Sequence, residues 1–226
     1  MSSQKLSVYT IKVSGKISWN EIIADLLSRN TEQERCVIIE QSDSYIGGCY
    51  LLETYINQTQ YNVDENRFEL VPAKRLNIIK FDIFLDNSTL LLWGGKRAAS
   101  ALLTAIEAAS NHQTTIEYKD SDFKEMIGYL LKKSEVEFVR MKIMDIFIDQ
   151  GILANCIVNL KGQDNSRKLV EKYLDNISQI SVLVGKDELA VSITIYSSGS
   201  VVVFRDRDEL PDDAMNVINA MLGGVM

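Results

Sequence analysis

Two five-residue segments of the sequence carry the same arrangement of two aspartates around a phenylalanine. They are Asp82-Ile83-Phe84-Leu85-Asp86 and Asp145-Ile146-Phe147-Ile148-Asp149. Because alternate side chains of a β-strand point to the same face, each segment is expected to hold its two aspartates and its phenylalanine on one outer face. Two carboxylates placed in this way could bind a divalent cation or act in acid–base catalysis.

A turn explains the second aspartate of each segment more simply. Asp86 and Asp149 stand where a turn is predicted to begin, and aspartate is favoured there because its side chain accepts hydrogen bonds from nearby backbone amides. A phenylalanine on an outer face must be covered by a helix, by another domain or by a partner. We therefore predict an interaction surface rather than a catalytic site. Its residues are Asp82, Phe84, Asp86, Asp145, Phe147 and Asp149.

A pair of glycines followed by two basic residues stands between a predicted strand and a predicted helix. Free backbone amides at a helix start, together with positive charge, can receive a phosphate group. The spacing of a phosphate-binding loop is not met, because the position five residues before Gly95 is Leu90 rather than glycine. A corner that needs small residues is the favoured interpretation. The alternative is an anion contact at Gly94, Gly95, Lys96 and Arg97.

A second group of basic residues is expected to converge from two helices and the strand between them. The chain as a whole is acidic, with 24 Lys and Arg against 31 Asp and Glu. A nucleic-acid-binding protein usually carries a basic stripe, so such a role would depend on a local basic face. The candidates for nucleic-acid contact are Lys132, Lys133, Arg140, Lys142, Arg167, Lys168 and Lys172.

The remaining reactive side chains do not form a known catalytic pattern. The one histidine is His112, and the three cysteines, Cys36, Cys49 and Cys156, stand at unrelated spacings. A structural zinc site needs four Cys or His ligands, so the cysteines are expected to be reduced, partly buried thiols. No signature of a serine hydrolase, a zinc protease or a dithiol oxidoreductase occurs. We predict no catalytic residue, no metal and no cofactor.

Composition places the chain among ordinary globular proteins. Of its 226 residues 46% are hydrophobic and 24% are charged, which is enough apolar side chain for a sizeable core. The first residues are polar, so no secretory signal is expected. The longest apolar runs, Thr89–Trp93 and Val201–Phe204, have the length of a strand rather than of a membrane span. We expect a cytoplasmic protein that does not contact a membrane.

The first third of the chain is predicted to contain strands and one helix. Residues 7–13 alternate as a strand does, and Ser18-Trp19-Asn20-Glu21 is a capping box at the start of a helix. Two further strands are predicted at Cys36–Gln41 and Tyr50–Ile56. The polar stretch 57–75, with short strands at 61–63 and 67–71, is the predicted domain boundary. It divides an N-terminal region, 1–75, from a region 76–226. The alternative is that the two regions form one continuous domain.

Three times in succession the second region reads as two strands joined by a tight turn and followed by an amphipathic helix. The predicted copies are 76–85, 89–93 and 96–109; 136–148, 152–160 and a helix through Leu169–Ile177; and 189–196, 200–205 and 212–222. This order predicts an α+β fold with a mixed or mainly antiparallel sheet built from hairpins. Helices are expected on one face of the sheet, in repeated ββα units.

These observations favour a non-enzymatic protein. We predict a protein-interaction or assembly component of a bacterial or phage-related system, with a protein partner or self-association through exposed strand edges and outward phenylalanines. One alternative is a nucleic-acid-associated module of a phage-defence system. The other is a metal-dependent enzyme with a site made of scattered carboxylates.

Overall fold

A computed structural model of the chain describes residues 3–94, 96–119, 121–149 and 152–222, with residues 96–98 and 147–149 described by their backbone. Two compact units are present. The ribbon unit is Tyr9–Glu117, and the terminal unit is Met1–Val8 together with Tyr118–Met226. The sequence-based boundary between residues 75 and 76 falls within one strand, Arg67–Phe84.

Within the described residues the chain forms eleven strands and five α-helices, and every pairing of known register is antiparallel. The fold is therefore α+β. The first elements are β1 Gln4–Val13, α1 Trp19–Ser28, β2 Glu34–Gln41, β3 Tyr45–Asn62, β4 Arg67–Phe84, β5 Thr89–Trp93, α2 Lys96–Ala109 and β6 Thr114–Tyr118. The later elements are α3 Phe123–Leu131, β7 Val136–Asp149, β8 Ile152–Asn159, α4 Ser166–Lys172, β9 Ile177–Val184, β10 Val191–Tyr196, β11 Val201–Val203 and α5 Asp212–Met221.

The ribbon unit has the strand order β2-β3-β4-β5-β1, with β6 also paired to β1. The core contains alternate residues of the central strands, such as Ile79, Phe81 and Ile83 on β4, together with one face of α1 and one face of α2. Helix α1 begins with the predicted capping box. The backbone amide of Glu21 donates to Ser18 Oγ over 3.3 Å, and the amide of Ser18 donates to Glu21 Oε2 over 2.7 Å.

The terminal unit has the strand order β1-β11-β10-β9-β7-β8. Strand β9 lies between β10 and β7, although no strand is predicted there from the sequence. The predicted second helix, through Leu169–Ile177, is shorter than expected: α4 ends at Lys172, and Ile177 begins β9. Helix α3 packs against α5, and α5 packs against β9. None of the described helices is both long enough and apolar enough to cross a membrane.

The order strand, strand, helix occurs three times along the chain, as β4-β5-α2, β7-β8-α4 and β10-β11-α5. Each of the three predicted hairpins is present as an antiparallel pair. The equivalence of the three segments as repeated ββα units stays a prediction.

The largest difference from the sequence-based expectation is the length of β3 and β4. Each strand has 18 residues, and the two pair without a register shift from Tyr45 opposite Phe84 to Asn62 opposite Arg67. The stretch predicted to be a polar boundary is thus the outer half of one long hairpin. We call residues 51–78 of this hairpin the ribbon.

Local interactions explain how the ribbon turns and how it accommodates a proline. The Asn62 side chain accepts hydrogen bonds from the backbone amides of Asp64 and Glu65, over 3.0 and 3.2 Å. Asn66 adopts a left-handed backbone with φ 51°, which asparagine tolerates well. Pro72 lies where β4 pairs with β3 but not with β5, whose described register begins at Lys80. A strand with one neighbour can accept proline because one row of its amides is not needed for pairing.

Candidate functional site

The two faces of the ribbon differ in character. Residues directly opposite each other in an antiparallel pair share a face. Tyr50 and Ile79 are such a pair, and both side chains belong to the core. The same face continues outward mainly with polar residues, such as Gln58 and Gln60. The other face contains the odd-numbered residues of β3 and the even-numbered residues of β4.

This other face carries a line of exposed apolar side chains, which we call the apolar row. Three are aromatic, and their exposed fractions are 60% for Tyr55, 45% for Tyr61 and 72% for Phe68. The aliphatic members are also largely exposed. The apolar row consists of Tyr55, Tyr61, Phe68, Leu70, Leu76 and Ile78.

The size of the apolar row is unusual for a surface that faces only water. With roughly 200 Å² per aromatic side chain, the three rings alone leave about 350 Å² accessible. The three aliphatic side chains add an area of similar size. The total is at or above the roughly 300–600 Å² that the largest apolar patch of a typical monomeric protein exposes, and such patches often mark interaction sites.

Contacts within the row hold several of its side chains in place. The rings of Tyr61 and Phe68 meet edge to face with centroids 5.1 Å apart. Lys74 lies beside the Tyr55 ring, 5.8 Å from its centroid, and its Nζ forms a 2.8 Å ion pair with Glu53 Oε1. This hydrogen bond and the charge of Glu53 raise the pKa of Lys74. An ion pair therefore lies within the row, beside Tyr55 and Leu76.

Sequence reasoning missed this surface, although a signal was present. The positions of Tyr55 and Tyr61 differ by six and those of Phe68 and Leu70 by two, and an even difference places two residues on one face of a strand. The intervening Asn, Gln and Thr residues favoured a polar domain boundary with only short strands. They are instead the polar positions of a hairpin with both faces outside the core.

The predicted surface around Phe84 must be corrected at Asp82. Its carboxylate is buried, with 1% of the residue exposed. Trp93 Nε1 donates to Asp82 Oδ2 over 2.6 Å, and the Tyr45 hydroxyl donates to Asp82 Oδ1 over 2.5 Å. Alternation correctly places Asp82 and Ile83 on different faces of β4. Asp82 shares its face with Leu91, its pairing partner on β5. That face is covered at this position, however, because Leu91 and Trp93 are also buried.

The other two members of this group occupy different environments. Phe84 is half-buried, and its ring lies 5.4 Å from that of Tyr45. Asp86 is exposed in the turn that follows β4. A buried carboxylate and an exposed one do not form the paired acidic site that the spacing suggested. An interaction role for Phe84 and Asp86 stays a prediction.

The second Asp-Phe-Asp segment does not keep a simple alternation. The register of β7 shifts between Ile143 and Ile146, and Asp145 has a left-handed backbone with φ 56°. The amide of Asp145 donates to Asn155 Oδ1 over 3.1 Å instead of continuing the regular ladder. A bulge of this kind interrupts the period of two. The side chains of Phe147 and Asp149 lie outside the described residues.

The glycine corner before α2 is described only in part. Gly94 is half-buried, and α2 begins at Lys96 as predicted. Gly95 and the side chains of Lys96 and Arg97 lie outside the described residues. An anion contact at this corner stays a prediction.

Among the basic residues proposed for nucleic-acid contact, Arg167 has a structural role. Its guanidinium donates to the carbonyls of Leu131, Lys133 and Val136, which belong to the end of α3 and the start of β7. It also lies over the ring of Phe138, 5.5 Å from the centroid. These contacts join α3 to β7 through α4. We therefore remove Arg167 from the predicted nucleic-acid surface.

Two of the other basic side chains of that group lie beside aromatic rings, and four are exposed. Lys133 Nζ lies 4.9 Å from the Tyr129 ring centroid, and Lys172 Nζ lies 5.0 Å from that of Tyr173. The remaining four are exposed: Lys132, Arg140, Lys142 and Lys168. Nucleic-acid contact through them stays a prediction.

A cavity of about 550 Å³ lies between α1, α2 and the start of β2 in the ribbon unit. Its floor is apolar, with Leu26 and several alanines of α2. At its rim the Tyr50 hydroxyl donates to Glu34 Oε2 over 2.8 Å, and burial together with this hydrogen bond raises the pKa of Tyr50.

The first and last strands of the described strand order, β2 and β8, also expose apolar residues. In the ribbon unit β2 pairs only with β3, and it exposes Val37 and Ile39. In the terminal unit β8 pairs only with β7, and it exposes Ile152, Leu153 and Ile157. Both strands are shorter than the ribbon, and their exposed apolar side chains are fewer and include no aromatic ring.

The part of the chain that the structure describes contains no group of three or more His, Cys, Asp or Glu residues able to hold a metal ion. Comparison with known proteins finds no family model that matches the chain and no curated protein that is significantly similar to it.

Proposed function

We propose that the protein is a non-enzymatic interaction or assembly component that binds another protein chain through the apolar row of the ribbon. The exposure of three aromatic rings on one face of a two-stranded ribbon carries this proposal. Aromatic residues are enriched in the centres of protein interfaces and supply much of their binding energy. The row would be buried against the partner, which removes its large apolar area from water.

The length of the ribbon and the difference between its two faces favour a binding role over a purely structural one. A hairpin that served only to connect β3 to β4 could be closed immediately beyond the core, near Tyr50 and Ile79. The ribbon instead continues for twelve further residue pairs, to Asn62 opposite Arg67. The apolar row lies on one face, whereas the opposite face is mainly polar and exposes only Ile56 and Val71 among its large apolar side chains, as expected for a ribbon that docks on another chain through one face.

Site-specific photo-crosslinking tests this proposal in cells of the organism that naturally produces the protein. A photoreactive phenylalanine analogue is placed at Phe68, on the apolar row, or at Val71, on the opposite face. We expect protein adducts from position 68, and few from position 71. Leu70→Ser should reduce the adduct yield at position 68 at least tenfold, because it removes a neighbouring contact of the interface.

A matched substitution controls for general effects on the ribbon. Ile56→Ser makes the same kind of change on the opposite face, where Ile56 is 40% exposed, and should leave the adducts from position 68 unchanged. Equal adduct yields from positions 68 and 71, or no adducts from either, would contradict the proposal.

We propose further that β4-β5-α2, β7-β8-α4 and β10-β11-α5 are equivalent ββα units with their helices on one face of the sheet. Their common element order supports this. Superposition of the three segments in an experimental structure is the test, and three unrelated hairpin–helix geometries would contradict it.

A further inference from the structure

We infer that the partner of the apolar row is a second copy of the same chain, with the two ribbons packed face to face and antiparallel about a two-fold axis. This inference rests on the proposed function and specifies its partner. Three features of the ribbon support it: the order of its side chains, its charges and its area.

The order of side chains along the row is self-complementary. A two-fold axis through the pair Gln58 and Val71 superimposes each strand of the ribbon on the same strand of the partner, in the opposite direction. Tyr55 then faces Tyr61, and Asn57 faces Thr59, because each member lies equally far from residue 58. On β4 the same axis makes Pro72 face Leu70. Large side chains thus meet near both ends, and smaller ones meet at the axis.

The same axis pairs the outer parts of the ribbon. Lys74 faces Phe68, which allows a cation–π contact between the two copies in addition to the contact that Lys74 already makes with Tyr55. Leu76 reaches the turn of the partner, where Val63 is 79% exposed. A two-fold interface requires that each surface be its own complement, and the facing pairs between Tyr55 and Tyr61 and between Lys74 and Phe68 are consistent with this requirement.

The net charges of the two ends of the ribbon also favour antiparallel packing. The outer end of the ribbon has three acidic residues and one basic residue, Asp64, Glu65, Glu69 and Arg67, and is therefore negative. The inner end has Glu53 and Lys74 on the face of the apolar row, joined in an ion pair, and Arg75 on the opposite face, so its net charge is positive. Antiparallel packing places the negative end of each ribbon at the positive end of the other. Parallel packing would place like ends together, which is unfavourable.

The available area fits a dimer at the smaller end of the standard range. With roughly 200 Å² per aromatic side chain, the row exposes on the order of 650 Å² in each copy once its aliphatic members are included. Two copies would bury about 1,300 Å², within the roughly 1,200–2,000 Å² typical of specific interfaces.

Sedimentation velocity of the full chain over a range of concentrations tests for the dimer. We expect a reversible monomer–dimer equilibrium. Leu70→Ser and Tyr61→Ser should each weaken dimerisation at least tenfold, whereas Val71→Ser on the opposite face should not change it. Because all three residues are exposed in the monomer, circular dichroism and the urea midpoint should remain close to those of the unchanged protein.

Mixed cross-linking tests the antiparallel arrangement. Two variants, Asn57→Cys and Thr59→Cys, are made in a background with Cys49→Ser and Cys156→Ser, and are treated with a bis-maleimide that spans about 10 Å, the usual separation of stacked sheets. Antiparallel packing places Asn57 over Thr59, so the mixture should give more cross-linked dimer than either variant alone. A mixture that gives no more cross-linked dimer than either variant alone would overturn this arrangement in favour of parallel packing.

The failure of this inference can be distinguished from the failure of the proposed function. A strict monomer at the highest soluble concentration, with adducts of a different protein from position 68, would overturn self-association and retain a protein-binding ribbon. A dimer that Leu70→Ser and Tyr61→Ser leave intact would overturn the ribbon as its interface.

Discussion

The indole of Trp93 donates a 2.6 Å hydrogen bond to the buried carboxylate of Asp82. The Tyr45 hydroxyl donates to the other oxygen of the same carboxylate, so that Asp82 joins β4 to β5 and to the start of β3. Two donors compensate part of the cost of removing this carboxylate from water. Asp82 is therefore a structural residue at the base of the hairpin that carries the ribbon.

We predict that Asp82→Asn destabilises the protein by about 1–3 kcal/mol, because an amide has one acceptor oxygen and leaves one buried donor without its partner. Urea denaturation followed by circular dichroism measures the change. Asp86→Asn in the exposed turn is the matched control and should alter the free energy of unfolding by less than about 0.5 kcal/mol. Equal effects of the two substitutions would contradict a structural role for Asp82.

Two glycines should respond oppositely to replacement by alanine. A Cβ at Gly48 would lie 2.4 Å from the carbonyl oxygen of Val37 and 2.8 Å from the Phe81 ring. Gly48→Ala should therefore destabilise the protein by roughly 1–3 kcal/mol through overpacking. Gly128 lies within α3, and apart from its own helix backbone and chain neighbours no atom lies within 4 Å of such a Cβ. Gly128→Ala should stabilise the protein by about 0.5–1 kcal/mol, because alanine favours the helix. Thermal unfolding distinguishes the two signs.

Arg167 should contribute to stability through the carbonyl groups that it binds. Arg167→Ala leaves the carbonyls of Leu131, Lys133 and Val136 without this donor, and we expect a loss of about 1.5–3 kcal/mol. Arg167→Lys should recover only part of the loss, because an ammonium group lacks the planar fork of the guanidinium. Lys168→Ala, on the exposed side of the same helix, is the control. If Arg167→Ala and Lys168→Ala have the same urea midpoint, the structural assignment is wrong.

Cys36 should resist alkylation in the folded protein. Burial, together with the nearby Cys49, raises the pKa of the Cys36 thiol to about 12, and the thiolate is the reactive form. After brief exposure to iodoacetamide at pH 8, mass spectrometry should detect modification at the half-buried Cys49 and Cys156 before Cys36. Denaturation in urea should remove the difference. Modification of Cys36 as fast as Cys156 under native conditions would contradict its burial.

The capping box of α1 should make stability depend on pH. The hydrogen bonds from the Ser18 amide and hydroxyl lower the pKa of Glu21 in the folded protein. A lowered pKa means that the stabilisation is present above the ordinary glutamate pKa and is lost as the pH falls through the folded value. The stability difference between the unchanged protein and Glu21→Gln should therefore decrease as the pH is lowered through this range. A difference that stays constant with pH would show that the charge of Glu21 has no part in capping.

Features that depend on nearby residues could be predicted from the sequence. The capping box needs only Ser18 and Glu21, and both hydrogen bonds form. The hairpin turns also arise from local chemistry, as at Ser88, where the backbone is left-handed with φ 54°. The apolar period of α1, α2, α3 and α5 marks the side of each helix that is buried. The α+β class follows from these elements.

The pairing of distant strands was decided by the tertiary structure. Tyr55 and Lys74 are neighbours because β3 and β4 pair without interruption, and only this pairing shows that the polar stretch between the two predicted strands is a ribbon with one apolar face. The bulge at Asp145 likewise depends on how β7 pairs with β8. A period of two specifies which residues share a face, but it does not specify where a strand is interrupted.

The sequence by itself determined which face of β4 carries Asp82 and Phe84, because alternation is a property of the strand backbone. Only the tertiary structure decided that Asp82 is buried, since its partners Trp93 and Tyr45 stand 11 and 37 residues away. The same holds for the apolar row. Its residues alternate in the sequence as core residues do, and their exposure follows because the ribbon extends beyond the helices and strands that cover the core.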